Sequence, residues 1–267
     1  MKEIIRQTEQ LLGSSVRASR RLSGGDLSAV FALDLADGRA IIAKLGPDVA
    51  IEAEMLRAMA ASGAPVPQVL VVADGLLLMA RVEAAGGPSG AWEGLADVLG
   101  QLHACQGQDY GWDSDYAFGP VAIPNTRSAD WAAFWADHRF GCHVPHLDTS
   151  LGRRIEALAE RCGELLPRDP APSLLHGDLW GGNVLVANGR VTGLIDPACY
   201  HGDREVDAAM LTLFDHPPAA FFERLGLAQG WQHRQPLYRL WPLLVHLRLF
   251  GASYRGAVET ELVALGF

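Results

Sequence analysis

The sequence predicts an α+β chain built as two lobes, a small β-rich N-lobe followed by a larger, mainly helical C-lobe. Three observations carry this. Short apolar runs separated by Gly-containing turns crowd the first eighty residues. The stretch Arg81-Val82-Glu83-Ala84-Ala85-Gly86-Gly87-Pro88-Ser89-Gly90 has linker composition. From Trp92 onward the pattern is mostly helical, broken by one tight hairpin signal at Asn188-Gly189. The expected organisation is therefore a lobe over 1–80, a hinge over 81–90 and a second lobe over 91–267.

Each element follows from local chemistry. Val16 to Leu22 reads as a strand, followed by the polar turn Ser23-Gly24-Gly25-Asp26. Ala29 to Leu35 and Ala40 to Leu45 flank Asp37-Gly38, a strong hairpin signal. Pairing across that turn brings Lys44 roughly opposite Phe31, beside the turn at 23–28, so an amine meets a set of backbone N–H groups. Gly24, Gly25 and Lys44 are thereby candidates for cradling a nucleotide triphosphate. Asp48 is placed to cap a helix that runs to about Ser62; Gly63, Pro65 and Pro67 end it. Gln68 to Ala73 and Leu76 to Ala80 form a further hairpin. Helices are expected over about 92–106, 128–141, 150–165, 204–214, 218–228 and 235–255, with 107–127 irregular.

Bulk properties bound the function. The chain has 267 residues with 49% hydrophobic and 20% charged residues, the balance of a folded chain with a sizeable core. A net charge of −9 argues against nucleic acid or an anionic membrane as main partner. Cys105, Cys142, Cys162 and Cys199 show no C-x-x-C spacing, so a zinc ribbon or redox pair is not indicated and reduced thiols are expected. The charged N-terminus and the lack of a bilayer-length apolar run point to a cytoplasmic protein. His138, Cys142 and His146 share a helical spacing, but Pro145 interrupts it and a packing role is the simpler reading.

The chemistry concentrates in Leu174-Leu175-His176-Gly177-Asp178-Leu179-Trp180-Gly181-Gly182-Asn183. Asp178 precedes Asn183 by five positions, the spacing with which kinase catalytic loops set a hydroxyl-orienting carboxylate beside a magnesium ligand. A two-residue Asn188-Gly189 turn sets Ala187 opposite Arg190 and Asn183 opposite Leu194. Asp196 then falls about 5 Å from Asn183 by ordinary strand spacing. Their oxygens suit a small hard cation. Asp178 is the candidate catalytic residue, with Asn183 and Asp196 as Mg²⁺ ligands and ATP as donor.

In this order the parts resemble the fructosamine kinase (ketosamine 3-kinase) family, within the aminoglycoside-phosphotransferase-like branch of the protein-kinase-like fold. His176-Gly177-Asp178-Leu179-Trp180-Gly181-Gly182-Asn183 is similar to the family's H-G-D-L-W-x-G-N. Asp196-Pro197-Ala198 with Gly202 resembles D-P-A-x-x-x-G, and the segment Asp130-Trp131 through Phe134 to Arg139 resembles its D-W-x-x-F-x-x-x-R helix. Family members often carry His at the place of Asp203 and Glu at that of Ala80, and many are longer around 107–127. The resemblance implies ATP-dependent phosphorylation, at the 3-hydroxyl, of a ketosamine, either a free glycated amine or a glycated lysine on protein, in deglycation repair. It implies adenine contacts from the hinge backbone at Met79 and Arg81, and it favours Glu54 over Glu52 as the acid paired with Lys44. It casts Asp207 as a buttress of the catalytic loop. His176 is expected to support the loop, and Trp180 either stacks on the acceptor or packs. A monomer or weak dimer is expected. The competing readings are a kinase for an aminoglycoside, choline or thiosugar, a nucleotide-binding pseudokinase, and a metal-dependent hydrolase using His176, Asp178, Asp196 and His201.

Overall fold

A computed structural model describes residues 1–22 and 28–267. Helix α1 (Lys2–Leu12) precedes strands β1 (Val16–Arg21), β2 (Ala29–Leu35) and β3 (Ala40–Leu45), helix α2 (Val49–Ala61), and strands β4 (Val69–Ala73) and β5 (Leu76–Ala80). The strands form one antiparallel sheet in the order β1-β2-β3-β5-β4. Alternation sorts its faces. Phe31, Leu33, Leu35, Ile41, Leu76 and Leu78 pack with Ile4 of α1 on one side, and Leu77 and Met79 meet Val49, Ala53 and Leu56 of α2 on the other.

The β2–β3 turn shifts the expected register by one residue. Leu35 and Arg39 close a three-residue loop in which Gly38 takes φ +91°, the conformation of a G1-type turn. Lys44 consequently pairs with Val30, and Phe31 with Ala43. Lys44 thus shares a sheet face with Val30, away from the core that holds Phe31.

The second lobe opens with α3 (Trp92–Ala104) and a small hairpin of β6 (Tyr116–Phe118) and β7 (Val121–Ile123), inside the stretch expected to be irregular. The helix predicted over 128–141 is instead α4 (Trp131–Trp135) running into a π-helical turn over Ala136–Phe140. Then come α5 (Thr149–Glu160), α6 (Cys162–Leu165) and β8 (Ser173–Leu174), followed by the hairpin of β9 (Val184–Ala187) and β10 (Arg190–Leu194). Strand β11 (His201–Gly202) leads into α7 (Glu205–Phe214), α8 (Ala219–Leu225), α9 (Trp231–Phe250) and α10 (Arg255–Ala264). The single helix expected over 235–255 begins earlier and ends at Gly251, whose φ of +80° lies outside helical backbone. Neither α1 nor α10 was anticipated.

Two clusters organise this lobe. Trp131, Phe134, Trp135 and Phe140 interlock with Tyr200, Tyr238 and Trp241. A second cluster runs between the lobes: Met55 and Met59 of α2 pack with Leu95 and Leu99 of α3 and with Val184 and Leu194 of the β9–β10 hairpin. The helix that carries the acid partner of Lys44 is therefore seated on the same apolar layer as the hairpin that carries Asn183. No helix among the described residues is long and apolar enough to cross a membrane.

Candidate active site

The Asn188-Gly189 turn forms as its composition dictates, with both residues at positive φ (52° and 71°) and Arg190 opposite Ala187. A bulge at Thr192 then alters the count. Thr192 Oγ1 donates to the carbonyls of Glu83 (2.7 Å) and Leu185 (3.1 Å), the register slips, and Leu194 faces Val184. Ile195, rather than Leu194, lies opposite Asn183, to whose carbonyl its N–H donates at 3.1 Å. Asp196 leaves the strand at φ +52°, a conformation costly for a non-glycine residue and typical of functional turns.

Asn183 Nδ2 donates to the Asp178 carbonyl at 2.8 Å and to Asp178 Oδ2 at 3.2 Å. The amide nitrogen is thus committed to the catalytic loop, which leaves the amide oxygen as the group able to meet a cation. Burial, with Asp196 nearby, pushes the Asp178 carboxyl up to about 7, against the lowering effect of the Asn183 bond. A carboxyl poised near neutrality is suited to accept a proton from an attacking hydroxyl.

The loop that presents Asp178 is held from behind. Asp207, fully buried on α7, accepts from the N–H groups of His176 and Gly177 and from His103 Nε2, each at 2.9 Å. Gly177 has φ +80°, and a Cβ there would lie 2.0 Å from the Ala198 carbonyl oxygen, so only glycine fits between the two loops. His176 ties them together: Nε2 donates to the Ile195 carbonyl at 3.0 Å while Nδ1 accepts from the Asp178 N–H at 3.3 Å, a pattern that assigns the neutral tautomer. Burial pushes its pKa down, in keeping with that assignment. The Asp215 carboxylate takes the Gly181 N–H at 2.7 Å. The Trp180 ring lies over Gly182, where a Cβ would approach Cη2 to 2.2 Å.

Lys44 Nζ stands 2.6 Å from Glu52 Oε2 and 2.8 Å from Asp196 Oδ1, joining the N-lobe sheet, α2 and the loop after β10. Burial alone would push the ammonium down, but Glu52 and Asp196 outweigh it and hold the pKa up. Glu54, expected as the partner of Lys44, is exposed. The correction follows from the helix face: Val49, Glu52, Ala53, Leu56 and Met59 make one buried stripe, which Glu54 does not join. Glu52→Gln should therefore reduce kcat/KM for ATP by on the order of tenfold or more, as breaking a buried ion pair strands its partner. Glu54→Gln should leave it within about twofold. Steady-state kinetics on both variants would check this, and a larger effect at Glu54 would reject the pairing.

The other predicted nucleotide contacts fare differently. Gly24 and Gly25 fall outside the described residues. Met79 is buried under α2 in the lobe core. The Arg81 N–H already donates to the Ala40 carbonyl at 3.0 Å, and its side chain pairs with Asp34, so its backbone donor is not free for a base. Neither residue lines the cavity of about 430 Å³ between the lobes, whereas Lys44, Glu52, Asp178, Asn183 and Asp196 all do. One wall is aromatic, formed by Trp180, Phe214, Phe250 and Tyr254 with His246, and its roof comes from Tyr116 to Gly119, strand β6 and the turn that follows it. Sequence reading missed this hairpin, His103 and Asp215. The alternating Tyr116-Ala117-Phe118 before Gly119-Pro120 was the signal available for the first; the other two carry no local signature.

Lys44 paired with an acid on α2, beside a loop bearing Asp178 and Asn183 and a second loop bearing Asp196, defines with the fold a phosphotransferase of protein-kinase-like architecture. The backbone matches aminoglycoside phosphotransferase APH(4)-Ia with a TM-score of 0.73 over 98% of both chains at 20% identity, a likeness of fold. The fructosamine kinase model matches residues 1–265, and the chain belongs to the fructosamine kinase family. It is 34% identical to a probable ketoamine kinase of Thermus thermophilus over 91% of this chain and 92% of that one. It also matches the crystal structure of a candidate fructosamine-3-kinase from Thermobifida fusca, with a TM-score of 0.90, 31% identity, and 99% and 98% of the two chains covered.

Proposed function

We propose that this protein transfers the γ-phosphoryl group of ATP to a sugar hydroxyl of a ketosamine. The observation that carries the reading is the convergence of Lys44, Asp178, Asn183 and Asp196 on one cavity walled by aromatic rings. Family membership and the names of the relatives support a ketosamine acceptor; a fructosamine or ribulosamine, as a free glycated amine or a glycated lysine on protein, is the form proposed. The 3-hydroxyl as the site of transfer, a role in deglycation repair and a cytoplasmic location belong to the same proposal.

Residues take their roles from what they touch. Lys44, oriented by Glu52, binds phosphate oxygens of ATP. Asp178 orients the acceptor hydroxyl; as its oxygen bonds to the γ-phosphorus and the bond to the bridging oxygen breaks, the carboxylate takes the proton and ADP departs. Asn183 and Asp196 would hold Mg²⁺, which when bound supplies neutralisation of phosphate charge. The donor set fits that ion: the Asp196 carboxylate and the Asn183 amide both line the cavity, and both offer oxygen. One carboxylate and one amide oxygen, completed by phosphates and water, is the ligation Mg²⁺ favours.

The decisive experiment is an ADP-release screen over fructose-lysine, ribulose-lysine, aminoglycosides, choline and a thiosugar, with Mg²⁺ omitted as control. Turnover of a ketosamine that requires Mg²⁺ is the expected result, with ³¹P–¹H correlation in the product locating phosphate on the 3-hydroxyl. Turnover of an aminoglycoside, choline or the thiosugar alone would reject the acceptor, and phosphate at another hydroxyl would reject the regiochemistry.

A further inference from the structure

Arg139 is fully buried, yet its partners are neutral. Its guanidinium lies 4.6 Å from the ring centre of Phe134, 4.3 Å from Tyr200 and 4.8 Å from Trp241. Nη1 donates to the carbonyls of Pro124 (2.7 Å) and His138 (3.1 Å), and Nη2 donates to Asn125 Oδ1 at 2.8 Å. Taking a guanidinium out of water without a carboxylate is costly, and apolar replacements for buried charges are often neutral or better for stability alone. The π-helical turn over Ala136–Phe140 that seats Arg139 is itself an irregularity of the kind found at functional sites.

What the guanidinium holds is the base of the β6–β7 hairpin. Asn125 is 1% exposed and spends every polar group there. Its N–H donates to Asp115 Oδ1 at 2.7 Å, Nδ2 to the Ser114 carbonyl at 3.3 Å, and its carbonyl takes the Trp112 N–H at 2.9 Å. The strands beyond are three residues each, paired Tyr116 with Ile123 and Phe118 with Val121. So short a ribbon is not stable by itself in water. Its first strand and the start of its turn, Tyr116 to Gly119, line the cavity as its roof. The other sides of the Arg139 cage also reach the site: Trp241 lines the cavity, and Tyr200 stands four residues after Asp196 in the same loop.

We propose that Arg139, acting through Asn125, is a positioning residue that holds the Tyr116–Gly119 roof over the cavity and so sets affinity for the acceptor. The proposal rests on the reading of this cavity as the place where ketosamine meets ATP. Arg139 touches no reacting atom. Its rigid fork supplies separate N–H groups to Pro124 and Asn125, a task one ammonium cannot reproduce.

Asn125→Ala removes the link and spares the catalytic loop. The KM for the ketosamine should rise about tenfold while kcat and the KM for ATP stay within about twofold, the signature of lost acceptor binding. Asn125→Asp keeps an oxygen for Arg139 and should bring the acceptor KM back to within about threefold of the wild-type value. Amide hydrogen exchange over residues 112–123 should accelerate at least about tenfold in Asn125→Ala, with residues 176–196 unchanged. Arg139→Lys, which keeps the charge, should move both readouts the same way by a smaller factor and serves if Asn125→Ala does not fold. A rise of both KM values together with a fall in kcat, or unaltered exchange over 112–123, would overturn the proposal. If the wild-type enzyme turns over no ketosamine, the functional reading falls, and the exchange comparison alone decides the clamp.

Discussion

Asp178→Asn should lower kcat by about a thousandfold, the scale of removing a general base, while Mg·ATP binds with affinity changed by less than about twofold. The amide matches the carboxylate in shape and can still offer an oxygen to Asn183 Nδ2, which now donates to Asp178 Oδ2 at 3.2 Å. The loop is held by Asp207 and His176 rather than by the Asp178 side chain, so its path should not change. Stability should move in the opposite direction to activity. Burial and Asp196 raise the Asp178 carboxyl from its ordinary 3.8 to about 7 in the folded protein. A carboxyl raised on folding binds its proton more tightly in the folded state, so its contribution is favourable below pH 3.8 and is lost as pH rises through about 7. At pH 8 the metal-free wild-type protein therefore carries a half-buried charge that Asp178→Asn lacks, and the variant should melt at a higher temperature. Single-turnover kinetics, nucleotide titration and metal-free melting curves test the three statements. A variant that keeps wild-type turnover would remove Asp178 from the chemistry.

The sequence made local geometry legible and left long-range pairing hidden. Asn188-Gly189 announces a turn because both positions need positive φ, and the observed pairing of Ala187 with Arg190 follows from that alone. The Thr192 bulge depends on the Glu83 carbonyl, which the chain brings near only through its fold, so the expected partner of Asn183 was off by one residue. Glu52 and Glu54 could not be separated by periodicity read from apolar residues, because Glu52 belongs to the buried stripe while being charged. Its place is legible only once Lys44 lies beneath it. His103 and Arg139 are harder still. What makes each matter is a partner outside its own helical segment, Asp207 for one and Asn125 for the other. Asp178 and Asp196 stood out because they sit in short motifs, as did the supports His176 and Asp207, which lie in or beside those motifs; His103 and Asp215 did not, because positioning there is done from the opposite side of the core.

Asp207→Asn is the change with the largest expected effect on stability, and it lowers activity as well. The carboxylate is fully buried and receives three donors: the His176 and Gly177 N–H groups and His103 Nε2. An amide has one oxygen, so whichever way the substituted side chain turns, its NH₂ group must face a backbone N–H or the imidazole. At least one buried donor is left without an acceptor, a loss of about 1–3 kcal/mol, to which the strength of bonds to a charged acceptor adds. The apparent melting temperature should drop by several degrees. Activity should fall more than about tenfold because Gly177, wedged against Ala198, has no room to shift without carrying Asp178 with it. The pH dependence separates this role from simple packing. Burial alone would raise the Asp207 carboxyl, but the hydrogen bond and electrostatic pull of His103, with His176 and the Gly177 N–H, outweigh it and hold the pKa below 3.8. A carboxyl depressed on folding adds stability that is fully present above its unfolded pKa and is lost as pH falls through the folded value. The wild-type protein should therefore lose stability below pH 3.8 more steeply than Asp207→Asn does, and the gap between them should narrow with acid. Denaturant titrations between neutral pH and that range would show it. A gap that stays constant down to the acid limit would mean that Asp207 holds the loop by shape rather than by charge.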